Sequence, residues 1–231
     1  MFETNGFCIK SGIFGETISA HLVPALEHAS MVRSKRGEAV FGARNLLAVP
    51  EVQELAHSPE LTSLVHSVLG EGAFPVRGIF FDKTPDANWP VAWHQDLTLA
   101  VAARREIPGW TNWTVKGDAH HVNPPVSVLE NMVALRVMLD DCDADSGPLR
   151  VQPGSHLLGR LSRERIVELC ALQKERECLG NAGDVLMMRP LLVHASSAAR
   201  KPRNRRVVHL EYVGAGLIPV DLVTKTPENM N

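Results

Sequence analysis

From residue 74 onward the chain is written in short apolar runs separated by turns, and this texture constrains its fold more than any other feature. The runs 74–81, 97–102, 128–140, 183–188 and 207–213 are rich in Val, Ile, Leu, Met and Phe and read as strands. Gly, Pro, Asp and Asn cluster between them, as turns require. One helical stretch interrupts the series at 162–170, with Ser162 placed to cap it and Glu164 in its first turn. Strands so spaced pack as a sandwich or a barrel. Alternating βαβ units would need a helix after nearly every strand.

Residues before Gly72 have a different period. Ile18, His21, Leu22, Ala25, Leu26 and Ala29 recur at helical spacing, as do Val52, Leu55, Ala56, Leu61, Leu64, Val65 and Leu69. Ser58-Pro59 divides the second set into two short helices, because proline disfavours helix in the residue before it. The expectation is a single domain over residues 1–231. Residues 1–72 would be a mostly helical layer and 73–215 the β-barrel core. The segment 104–125 shows no periodicity and reads as a long irregular loop.

Composition narrows the function classes. The 231 residues carry 24 basic and 26 acidic side chains, a formal net charge of -2, which argues against bulk electrostatic binding to nucleic acid or an anionic membrane. No apolar run approaches the roughly 20 residues of a membrane span. The first residues lack a basic, then apolar, leader pattern. The four cysteines form no CxxC pair, which fits reduced thiols and a cytoplasmic location. A small-molecule substrate is the expected partner, with no nucleic acid and no membrane, in a monomer or a homodimer.

The sharpest local feature is Trp93-His94-Gln95-Asp96. On an extended backbone a His-x-Asp places both side chains on one face, where an imidazole and a carboxylate can take adjacent corners of a metal. His194 follows the apolar run Leu191-Leu192-Val193 and can supply the third ligand. Two histidines and one carboxylate form a facial triad that leaves positions open on Fe(II). A histidine at a strand end is as readily a hydrogen-bonded structural residue. Arg205 and Arg206 stand eleven and twelve residues past His194 and enter an apolar strand, whereas Arg200, Lys201 and Arg203 read as a solvated basic loop. A guanidinium fork suits bidentate capture of a carboxylate.

These pieces occur together with Leu139-Asp140-Asp141-Cys142 through Gly147-Pro148-Leu149, Val151-Gln152-Pro153-Gly154-Ser155-His156 and Ala182-Gly183-Asp184-Val185. In that order and spacing the chain resembles the phytanoyl-CoA dioxygenase family of Fe(II)- and 2-oxoglutarate-dependent oxygenases. The resemblance covers roughly residues 74 to 213. It implies a mainly β fold with flanking helices, a double-stranded β-helix or cupin-like jelly roll, carrying the N-terminal helical layer. It further implies that His94, Asp96 and His194 hold Fe(II), that Arg205 binds the distal carboxylate of 2-oxoglutarate with help from Ser196, and that O2 is consumed. The activity implied is oxidation of a C–H bond of a small organic substrate, by hydroxylation or a related outcome, with release of succinate and CO2. Asp96 favours such oxidation over halogenation, since related halogenases lack that carboxylate.

Other residues are open to two readings. Arg136 stands where the family often has an aromatic residue; it either faces the barrel mouth and meets an anion or is paired at the surface. Trp110 and Trp113 can lid the site or anchor their loop, and His120 or His121 can hydrogen-bond substrate. Asn131 and Met132 are further pocket candidates. His156 and Asp184 read as structural residues in turns. Two other functions stand beside the oxygenase: a Zn(II) hydrolase on the same ligands, disfavoured by the lack of an evident second carboxylate, and a non-catalytic metal- or ligand-binding jelly roll.

Overall fold

In a computed structural model the described residues are 1–15, 17–28, 32–36, 39–116, 119–219 and 222. The central strand β9 (Met132–Met138) is buried at all seven positions. That is the signature of a strand covered on both faces. It lies within a seven-stranded sheet. Its neighbours there are β12 (Val185–Met188) and β14 (Arg205–Val213), followed by β4 (Phe74–Lys83), β3 (Ala39–Arg44) and β2 (Val32–Arg36); β1 (Phe7–Lys10) closes the opposite edge on β12. Every pairing is antiparallel.

Outward-facing Val133, Leu135, Val137, Val185, Met187, Val208, Leu210 and Tyr212 form one apolar cluster with the helices. The helices concerned are α2 (Ile18–His28), α3 (Pro50–Ala56) and α4 (Pro59–Leu69), which contribute Leu22, Leu26, Val52, Leu55, Ala56, Leu61 and Val65. Ser58 caps α4 by accepting from the Leu61 amide, at the division expected from Ser58-Pro59. The Tyr212 hydroxyl donates to Ala56 O at 2.9 Å, tying the sheet to this layer.

The inward face meets a four-stranded sheet ordered β11 (Arg176–Cys178), β10 (Leu149–Val151), β13 (His194–Ser196) and β5 (Val91–His94). Ala134, Met138, Leu186 and Met188 from the large sheet pack there against Leu149, Val151, Cys178 and Leu192. This is the mainly β jelly-roll sandwich with flanking helices, although the described strands do not join into a hydrogen-bonded closed barrel. Ser162 caps α6 (Arg163–Leu172) through the Arg165 amide, as the sequence predicts.

Three expectations need correction. Residues 1–72 are not only helical, since β1, β2 and β3 lie in them and extend the large sheet. These strands are edge additions of four to six residues, too short to show a period. The segment 104–125 is not irregular throughout: β7 (Thr111–Lys116) and β8 (Ala119–Asn123) pair with β6 (Leu99–Val101) in a three-stranded sheet. A register shift between Thr111 and Thr114 breaks the alternation that would have betrayed it. The run 128–140 begins with the end of helix α5 (Val126–Glu130) before β9 starts, its Val and Leu serving either state.

Candidate metal centre

His94 ends β5 and faces His194 on β13, its direct partner in the register. The two imidazole centroids are 4.2 Å apart. Asp96 lies two residues on, with Oδ1 3.9 Å from His94 Nε2 and Oδ2 3.5 Å from His194 Nε2. One donor atom from each residue falls within 4.8 Å of the others. The intervening Gln95 turns the opposite way and is clamped. Its amide donates to Leu191 O at 2.7 Å and Gly159 O at 2.8 Å, and its oxygen accepts from the Leu161 amide at 2.8 Å. With the Asp96 amide on Pro190 O at 2.9 Å, this holds the His-x-Asp extended.

The ring orientations fit a metal. Nδ1 of His94 lies 2.8 Å from Ala92 O, and Nδ1 of His194 lies 2.8 Å from Leu192 O. A carbonyl only accepts, so each Nδ1 carries the proton and each Nε2 presents a lone pair toward Asp96. Burial, with the neighbouring His94 charge behind it, pulls the His194 imidazole down to about 4. Burial pushes Asp96 upward, but His194, His209 and His94 outweigh it and hold the carboxyl down at about 2. Near neutral pH these are a neutral imidazole and a carboxylate, the forms that bind metal. Side-chain exposure falls from 40% at His94 to 6% at His194, so the group opens on the His94 side.

Arg205 begins β14 opposite Lys83 of β4. It is 4% exposed, and its Nε is buried without a hydrogen-bond partner. Arg206 points outward and pairs with Asp140 at 2.6 and 2.9 Å. Arg200 and Lys201 pair with Asp145, and Arg203 with Asp143, on the exposed loop expected of them. Lys83 is 1% exposed. Its Nζ donates to Ser196 Oγ at 3.2 Å, to Gly147 O at 3.4 Å and to Ser197 O. Gly147 has φ +68°, and a Cβ there would meet Ser197 O at 2.5 Å, so only glycine brings this turn against the lysine. Burial and then Arg205 pull the Lys83 ammonium down to about 7.

Arg136 faces inward. It stands opposite His209 in the β9–β14 register, with Nη1 3.2 Å from His209 Nδ1 and its guanidinium 5.4 Å from the Phe81 ring centroid. His209 Nε2 lies 3.2 Å from Glu211 Oε1, which accepts from Arg77 Nη1 at 3.0 Å. Glu211 and His209 come within 4.8 Å of Asp96. A second carboxylate therefore does stand beside the site, contrary to the sequence expectation. Lys83, His209, Glu211 and Arg77 were all missed. The available signal was polar side chains of one parity on two apolar strands, Arg77 and Lys83 on one and Arg205, His209 and Glu211 on the other.

Of the remaining expected residues, Trp110 and Trp113 pack against the cluster of Leu99, Val101, Val122, Val128 and Leu129. His120 sits half-buried on β8 between Val101 and Val115, and Met132 lies buried in the same cluster as the tryptophans. The Asn131 amide group donates to Ser127 O at 2.9 Å at the end of α5. His156 Nε2 is 3.0 Å from Glu3 O, and Asp184 accepts from the Gly12 and Asn181 amides, both structural as expected.

A family model described as Phytanoyl-CoA dioxygenase (PhyH) matches residues 3–207. The chain belongs to this family. No curated protein matches it. Among solved structures, AviO1 from Streptomyces viridochromogenes Tue57 is 20% identical, with 94% of each chain covered and a TM-score of 0.68. EctD from S. alaskensis, solved with 2-oxoglutarate and 5-hydroxyectoine, is 19% identical over 94% of this chain and 74% of its own, with a TM-score of 0.72. SnoN, a non-heme alpha ketoglutarate dependent epimerase from nogalamycin biosynthesis, is 19% identical over 93% and 80%, with a TM-score of 0.66. At these identities the likeness establishes the PhyH-type fold. Among the described residues, no helix is long and apolar enough to cross a membrane.

Proposed function

We propose that this PhyH-family protein is an Fe(II)- and 2-oxoglutarate-dependent oxygenase that oxidises a C–H bond of a small organic substrate. The observation that carries the reading is the paired orientation of His94 and His194, whose Nε2 atoms converge on Asp96 while both Nδ1 atoms are committed to backbone carbonyls. His94, Asp96 and His194 would hold Fe(II), which would supply O2 activation coupled to oxidative decarboxylation of 2-oxoglutarate to succinate and CO2. SnoN and SnoK, a carbocyclase solved from the same pathway, are alpha ketoglutarate dependent and share the fold, so the outcome extends to epimerisation or ring closure within the same co-substrate chemistry.

The protein's own residues do the rest. Arg205, buried and with an unused Nε, receives the distal carboxylate. Lys83 holds Ser196 Oγ in place beside it and adds positive charge at the closed end. Gln95 prevents the ligand loop from relaxing. A zinc hydrolase on these ligands needs a free general base, and Glu211 is already engaged by Arg77 and His209.

The test is an anaerobic titration of metal-free protein with Fe(II) and then 2-oxoglutarate, following the visible absorption of the keto-acid chelate. The band is expected in the wild type, absent in His94→Ala, and displaced to at least about tenfold higher 2-oxoglutarate in Arg205→Ala. Iron binding with no band at any concentration rejects the co-substrate.

A further inference from the structure

Once 2-oxoglutarate has been assigned to Arg205, one buried cation of the inner face is left without an ion pair, the carboxylate that favours its charge, Asp96, being a candidate metal ligand. Arg77 is paired with Glu211. The Lys83 ammonium already has three oxygen acceptors. Arg136 is 8% exposed, and among the described residues no carboxylate is hydrogen-bonded to it. One of its five N–H donors reaches His209 Nδ1, and its face lies over Phe81. His209 is fixed in turn: its Nε2 proton goes to Glu211, so Nδ1 accepts from Arg136. The guanidinium is oriented, largely dry and mostly unused.

The charges of the site point the same way. A divalent metal and a dianionic co-substrate cancel, and Arg77 cancels Glu211. The carboxylates left are Asp96 and, beside Arg205, Asp82, against the three cations Lys83, Arg136 and Arg205, so with Lys83 charged the loaded centre keeps positive charge. Buried charge of one sign calls for a compensating ion.

We propose that Arg136 reads the acidic group of the substrate, so that the molecule oxidised is a small carboxylic acid bound beside the metal. The inference rests on the co-substrate reading above. His209 and Glu211 act as positioning residues, since they set the guanidinium plane and come within 4.8 Å of Asp96. An acid on the remaining N–H groups of Arg136 therefore lies beside the His209 and Glu211 pair that reaches Asp96. A planar guanidinium against a planar carboxylate gives two parallel hydrogen bonds, which fix orientation as well as affinity.

A carboxylate on Arg136 has two possible sources, the substrate or the co-substrate itself, and the experiment separates them. Full-length wild type, Arg136→Met, Arg136→Gln and Arg205→Met are loaded with Fe(II) anaerobically, with melting curves to confirm folding. In the first arm 2-oxoglutarate is titrated by its chelate absorption. Arg205→Met is expected to weaken it at least about tenfold, and both Arg136 variants by less than about threefold. An equal loss in the Arg136 variants assigns that guanidinium to the co-substrate and overturns the inference. No band in the wild type overturns the co-substrate reading itself. In the second arm benzoate and hexanoate are compared with benzamide and hexanamide, read as perturbation of the chelate band. The acids are expected to bind at least about tenfold tighter than the amides in wild type, with the preference falling below about threefold in both Arg136 variants. Equal response to acid and amide, no response to either, or a preference that survives the substitutions overturns it.

Discussion

The two faces of β14 differ as sharply as any two regions of the protein. Val208, Leu210 and Tyr212 point outward into the helical layer, fully buried and apolar but for one hydroxyl bonded to Ala56. Arg205, His209 and Glu211 point inward beside Val207, buried and mostly polar. The neighbouring strands repeat the contrast, with Leu135 outward beside Arg136 inward on β9. One face gains stability from apolar area removed from water. The other carries desolvated charge at a cost in stability. Burial alone therefore does not distinguish core from site. The chemistry of the buried atoms does.

The contrast can be broken most completely from the inside. His194→Ala is expected to abolish chelate formation and succinate release while moving the melting temperature of metal-free protein by only a few degrees. A collapse of the fold instead would make His194 a structural residue. From the outside, Leu210→Ala should cost about 2–5 kcal/mol in a denaturant titration yet leave the 2-oxoglutarate affinity of the folded fraction unchanged. A selective loss of affinity would mean that the two faces are not independent.

A third prediction sharpens the cost of inner-face charge. Burial depresses the Lys83 ammonium from its ordinary 10.5 to about 7. Between those values the unfolded chain binds a proton that the folded chain has released. Stability therefore rises with pH from about 7 toward 10.5, and the penalty is fully present below 7. Metal-free wild type should gain stability between pH 7 and 9 relative to Lys83→Met, measured by chemical denaturation at each pH. Equal slopes would show that the Lys83 ammonium is as well accommodated folded as unfolded. The smallest effect belongs to Arg206, adjacent in sequence to Arg205 but outward and paired with Asp140. Arg206→Ala should cost no more than about 1 kcal/mol and leave 2-oxoglutarate binding unchanged, whereas Arg205→Ala weakens it at least about tenfold. Similar effects from both would contradict the parity that separates them.

Much of this was readable in the residues. The helices at 18–28, 50–56 and 59–69 follow from their spacing and from Ser58-Pro59, because a helix writes its period locally. His94 and Asp96 share a face because they are two apart on an extended chain, and Gln95 alone separates them. The edge strands β1 to β3 were not readable, since their few residues gain their conformation from the strands they pair with.

Residue type and local spacing determined a strand-rich sandwich or barrel and the His-x-Asp pair, with His194 as a candidate partner and Arg205 entering an apolar strand, and the family resemblance added the jelly roll. They left the direction of Arg136 open. Only tertiary structure decided that it turns inward, that Lys83 stands behind Ser196, and that Glu211 and His209 reach to within 4.8 Å of Asp96. The reason is physical. Period-two alternation says which residues share a face, but which face is which depends on what packs against each, and that partner lies far away in sequence.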